Sequence, residues 1–221
     1  MADMRRRTAE PVAGTPQIQF KPGLADETLR ELAPLLAEDG IDVDNIDVPD
    51  LDTLQHALNR AVERRNMQLF SPVGTTRDNA LTTLRLTVEA ILDGDTARAG
   101  TLIDQVQPES PDNTVATVSS CIGIALGLID DWLSGQTSDA PTGLGERTSL
   151  PAGHWNGERA ATDILVLARK GRAFRSLDKM LARHGGPQVL TGSTLALAAA
   201  TDAWARLGDT PRAQLIQTVI R

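Results

Sequence analysis

Tyrosine is absent from this chain, and phenylalanine and tryptophan together bring aromatic residues to only 3%. A core without rings must be filled by Leu, Ala, Val and Ile. That suits helices packed through small and branched aliphatics and disfavours a β-sandwich, whose strands draw heavily on aromatics. Cysteine occurs once, at Cys121, which excludes an internal disulfide and a multi-thiolate metal site. The three histidines, His56, His154 and His184, lie in separate stretches with no H-E-x-x-H or comparable pair. No serine stands in a nucleophile-elbow context. Gly143, Gly145 and Gly153 follow no strand and precede no lysine, so neither nucleotide fingerprint fits. No apolar run reaches the ~20 residues that span a bilayer, and the first residues lack the apolar centre of a signal peptide. The expectation is a cytoplasmic protein with no membrane contact, no metal and no cofactor. A net charge of −7 makes nucleic acid an unfavoured partner.

Two stretches free of charge stand out against this background. Between Asp112 and Asp130 the chain reads NTVATVSSCIGIALGLI. Ser110 is suited to cap a helix there, Pro111 to its first position and Gly135 to its stop, which predicts a helix over 111–134. Ser120, Gly123 and Gly127 are small residues at helical spacing, so a second helix could approach its backbone closely. Cys121, inside the run, reads as an inert buried thiol. Asp130 and Asp131 oppose the helix dipole by ~0.3–1 kcal/mol each when exposed, and so call for basic neighbours or full exposure. The second stretch, Gln188 to Thr201, predicts another buried helix over 188–206, with Trp204 extending its apolar face.

Around these two, helical periods recur. Leu29, Leu32 and Leu36 mark a first helix that Pro34 should kink or split. Asp42, Asp44, Asp47, Asp50 and Asp52 alternate, but without the central glycine and final glutamate of a calcium loop, so they read as an acidic connector that caps the next helix. Leu51, Leu54, Leu58 and Val62 form that helix's stripe, with His56 on the opposite side. Phe70 to Gly74 breaks the chain. Leu81, Leu84, Val88, Ile91 and Leu92 mark a long helix ended by Gly94, and Asp95 or Thr96 caps a further one. Beyond the central run, 135–157 has no sustained period and reads as a linker or covering, its end held down by Leu150 and Trp155. Helices follow at 158–170 and 172–184, and a last one finishes the chain.

Gly94-Asp-Thr-Ala-Arg98-Ala recurs as Gly208-Asp-Thr-Pro-Arg212-Ala, and more weakly as Gly171-Arg-Ala-Phe-Arg175-Ser. Each copy lies between amphipathic helices, as in hairpins joined by tight turns. The turn is similar to that of tetratricopeptide-type repeats over these six residues alone. The flanking positions do not align and the copies are unevenly spaced, so no family is assigned.

The sequence therefore predicts an all-α helical bundle of about seven or eight helices, built from antiparallel hairpins around the two buried apolar helices. Residues 1–23 read as a disordered tail, 24–134 as an N-terminal bundle, 135–157 as a linker, and 158–221 as a smaller subdomain docked on the first. Two candidate sites follow. Arg172, Arg175, Lys179 and Arg183 form a basic stripe on one side of a helix whose other side carries Phe174, Leu177, Met180 and Leu181. Trp132 and Trp204 are candidate pocket-lining residues between the buried helices. The leading functional expectation is a non-catalytic interaction or regulatory protein whose partner is another protein or itself. Its alternatives are a small-molecule-binding bundle or enzyme with a pocket near the tryptophans, and anion or nucleic-acid binding through the basic stripe.

Overall fold

Apolar residues at helical spacing find one another in two separate clusters. A computed structural model describes residues 24–44, 51–108, 115–135 and 137–221, with side chains from Leu29 onward in the first helix and Thr53 onward in the second. The tail 1–23, the aspartates Asp47 and Asp50, and the expected cap residues Ser110, Pro111 and Asp112 lie outside the described residues. The fold is all-α: 72% helical, with ten α-helices packing against each other and no strand among the described residues.

By contact density the chain divides into Met1–Glu63 and Arg64–Arg221. The first unit contains α1 (Leu24–Glu38) and the start of α2 (Leu51–Phe70). Its cluster joins Leu32, Leu35, Leu36 and Ile41 to Ala57 and Ala61. Pro34 lies on the exposed side of α1 without splitting it. The buried stripe of α2 runs through Leu54, Ala57, Leu58 and Ala61, whereas Val62, expected inside, is 41% exposed. Alanines at a four-residue spacing had won that face.

The second unit opens with α3 (Gly74–Leu92) and α4 (Thr96–Asp104), joined at Gly94, whose φ of 75° suits a residue without Cβ. Asp95 caps α4 by accepting from the Arg98 N–H at 3.0 Å. The central helix, α5, spans Val118–Leu133 and not 111–134. Thr117 is extended, with φ −106° and ψ 159°, and Gln107 pairs with it: the Gln107 N–H donates to the Ala116 carbonyl and its carbonyl accepts from the Val118 N–H. Thr117 then forms a capping box, accepting from the Ser120 N–H while Ser120 Oγ accepts from the Thr117 N–H. A hydroxyl flanked by extended backbone had displaced the Ser-Pro signal upstream.

The segment 135–157 is not wholly irregular. It carries a short α6 (Leu144–Arg147), which buries Leu144 in the main core, while Leu150 and Trp155 pack against that core as expected. Then come α7 (Glu158–Ala168), a 3-10 turn (Phe174–Ser176), α8 (Leu177–His184), α9 (Gly186–Leu207) and α10 (Arg212–Val219). The expected helix 172–184 is thus a 3-10 turn followed by a shorter α-helix. α9 is covered by α3, α5, α6, α7, α8 and α10. Its buried hydroxyls stay satisfied within the helix: Ser193 and Thr194 donate to the Leu190 carbonyl and Thr201 to that of Leu197. Helices from both sides of 135–157 share this one cluster, so the contact-density division does not coincide with the subdivision expected there.

The three echoed turns close the same hydrogen bond between the residue after the left-handed position and the carbonyl five residues back. Asp95 donates to Ala90, Arg172 to Leu167 and Thr210 to Ala205. In the third copy the left-handed residue is Asp209, with φ 47°, and not the expected Gly208. The geometry repeats, shifted by one position against the sequence.

Candidate functional site

The end of α2 comes close onto the backbone of α5. A Cβ built on Gly123 would stand 1.7 Å from the Phe70 carbonyl oxygen, so only glycine permits this contact. One turn further on, a Cβ on Gly127 would meet nothing within 4 Å. The approach expected along Ser120, Gly123 and Gly127 therefore happens at Gly123 and stops there. Beyond it no described residue covers α5 at Gly127, and a groove of about 600 Å³ opens.

Phe70, Ser71, Pro72 and Val73, from the α2–α3 connection, form one wall of this groove. Ile124, Gly127 and Leu128 of α5 line it, with Phe174 from the 3-10 turn. Val73 is 83% exposed, the most exposed large apolar residue described, and Met67, 57% exposed, precedes it on α2. Its charged lining residues are Arg77 of α3 and Asp131 of α5. Both are exposed, and neither forms an ion pair among the described residues. A volume of this size lies within the range of specific binding sites.

Asp130, beside Asp131, does different work. Its two carboxylate oxygens accept from the Ala173 and Phe174 N–H groups, each at 2.9 Å, so it caps the 3-10 turn from another helix. Burial pushes its pKa above the ordinary 3.8, opposed by the bonds from Phe174 and Ala173; the Asp131 charge raises it further and Arg175 lowers it. The offset that the sequence demanded at this helix end comes from those N–H groups and from Arg175. The same bonds hold Phe174 at the groove.

The basic stripe is exposed at all four positions, but its charges are not equivalent. Arg183 donates to Asp163 at 2.9 Å, and His184 Nε2 contacts the same carboxylate oxygen at 2.9 Å. Arg175 interacts with Asp130. Arg172, Arg175 and Lys179 have no ion-pair partner among the described residues. Of the four stripe charges, Arg183 is the one that is ion-paired among the described residues.

Trp132 and Trp204 are brought together, as a T-shaped pair with ring centroids 5.0 Å apart. They are buried in the main core, where they pack against each other. Trp132 also touches a smaller cavity of about 320 Å³ lined by the 137–145 segment. Cys121 is 1% exposed, and burial pushes its thiol up to about 12, which keeps it protonated and unreactive. His56 and His154 are exposed. No group of three or more His, Cys, Asp or Glu residues suited to a metal occurs among the described residues, and none of the described helices is long and apolar enough to cross a membrane.

Sequence reasoning missed the groove. Its one signal was the small-residue spacing at Gly123 and Gly127; the association of Val73, Arg77, Leu128 and Phe174 from separate elements had none. No protein-family model matches the chain, and no significant match is found among curated proteins or solved structures.

Proposed function

We propose that this chain is a non-catalytic, partner-binding helical protein and that the groove over α5 receives the partner. The observation that carries this reading is the bare helix surface at Gly127, walled by Val73, Leu128 and Phe174. An isolated exposed apolar residue is ordinary; apolar residues converging on a hollow with charges at its edge are what partner surfaces share. The anion-binding alternative through the stripe has weaker support, because Arg183 is already paired with Asp163. The tryptophan-pocket alternative is weakened by the packing of the two rings on each other.

Native mass spectrometry of the protein isolated gently from its own cells tests the proposal. The wild type should carry the mass of another chain or a multiple of its own. Gly127→Leu, which enters open space and fills the groove floor, should lose it while keeping its helical signal. A bare 23.6 kDa wild-type species, or a complex indifferent to Gly127→Leu, overturns the reading.

A further inference from the structure

The groove carries both halves of a contact. The Ser71-Pro72-Val73 connection offers an apolar projection, with Val73 83% exposed, and beside it lies the hollow lined by Gly127, Ile124 and Leu128. Its edge carries one cation, Arg77, and one anion, Asp131, neither engaged within the chain among the described residues. Asp130 is committed to the Ala173 and Phe174 N–H groups, which leaves Asp131 as the carboxylate available here. A partner segment charged with a single sign would meet one edge charge of its own sign. A patch that carries projection and hollow, cation and anion supplies both halves of the contact that an isologous two-fold interface requires.

We propose that the occupant is a second copy of this chain, in an isologous dimer. Val73 of each copy enters the hollow over Gly127 of the other. Arg77 of each copy faces the partner's Asp131, so the same pairing is made twice. The inference rests on the groove reading above and specifies its partner.

Sedimentation velocity from about 1 µM to about 1 mM should show a concentration-dependent monomer–dimer equilibrium in the wild type. Arg77→Asp gives a chain with two anions at the groove edge, and Asp131→Arg a chain with two cations. Each alone should self-associate at least about tenfold more weakly, because like charges now face each other twice. An equimolar mixture of the two variants should dimerise again, since both cross-pairs then have opposite signs. Recovery in the mixture also shows that neither variant has merely misfolded. Gly127→Leu, with no change of charge, should be monomeric. A wild type that stays monomeric throughout overturns the proposal, as does a dimer indifferent to these substitutions or a mixture without recovery. If the wild type is monomeric but holds a different chain that Gly127→Leu releases, self-pairing fails while the groove reading stands; if nothing is held, both fail.

Discussion

Gly123 and Gly127 stand one turn apart on α5, and their surroundings are opposite. The Phe70 carbonyl fills the space that a side chain would need at Gly123, whereas Gly127 faces the open groove. Adding a methyl group at Gly123 must displace backbone, not a flexible side-chain tip. Gly123→Ala should therefore lose about 3 kcal/mol or more of stability. Gly127→Ala should gain about 0.5–1 kcal/mol, because glycine inside a helix forfeits backbone entropy and alanine here meets no neighbour. Urea unfolding of the two variants checks the contrast, and equal effects at both positions would contradict the packing described. Cys121 shows a simpler agreement: its apolar neighbours in the sequence already implied burial, and burial alone accounts for its raised pKa.

At the scale of elements, α5 sets the position of its neighbours through its two ends. Its start follows from Thr117 and Ser120, which satisfy each other's backbone N–H groups. Its far end holds the 3-10 turn through Asp130. Because the Asp130 pKa is raised on folding, the folded chain binds its proton more tightly than the unfolded chain does. Its ionisation therefore opposes folding: that share of stability is present below 3.8 and is lost as pH rises from there through the folded value. Asp130→Asn removes this titration. The stability of the wild type relative to Asp130→Asn should fall as pH rises through that window, measured by urea unfolding at a series of pH values. A wild type that gained stability relative to Asp130→Asn as pH rose would mean that the N–H bonds and Arg175 outweigh burial. The echoed turns teach a related lesson. All three close the same backbone bond, yet the third places Asp209, not Gly208, in the left-handed conformation. Hydrogen-bond closure at the helix end selected the position, and residue preference yielded to it.

At the scale of the molecule, α9 is the best-covered element of the second unit, its side chains buried almost without interruption from Val189 to Ala205. With Asp202 the exception, paired to Arg206 and Arg212, opening this helix requires disrupting most of the surrounding core. Hydrogen exchange should be slowest at Leu195–Ala200 of α9 and Ile122–Leu126 of α5, approaching the rate set by global unfolding. Exchange as fast there as in the exposed part of α4 would show that the shared cluster is not the cooperative core.

What the sequence determined by itself is the all-α class, the two apolar helices and their burial. These depend on local spacing and on the absence of charge over long runs, so they are readable one segment at a time. The start of α5 was misplaced because a cap depends on backbone conformation: the pairing of Gln107 across Thr117 made Thr117, not Ser110, the residue before the first turn. The basic stripe was legible as exposed positions, but the ion pair of Arg183 with Asp163 was not, since Asp163 comes from another helix. Only the tertiary structure decided the groove. It exists because the end of α2 contacts α5 at Gly123 and nothing among the described residues continues the contact at Gly127, and the absence of a neighbour leaves no mark in the periodicity of the chain.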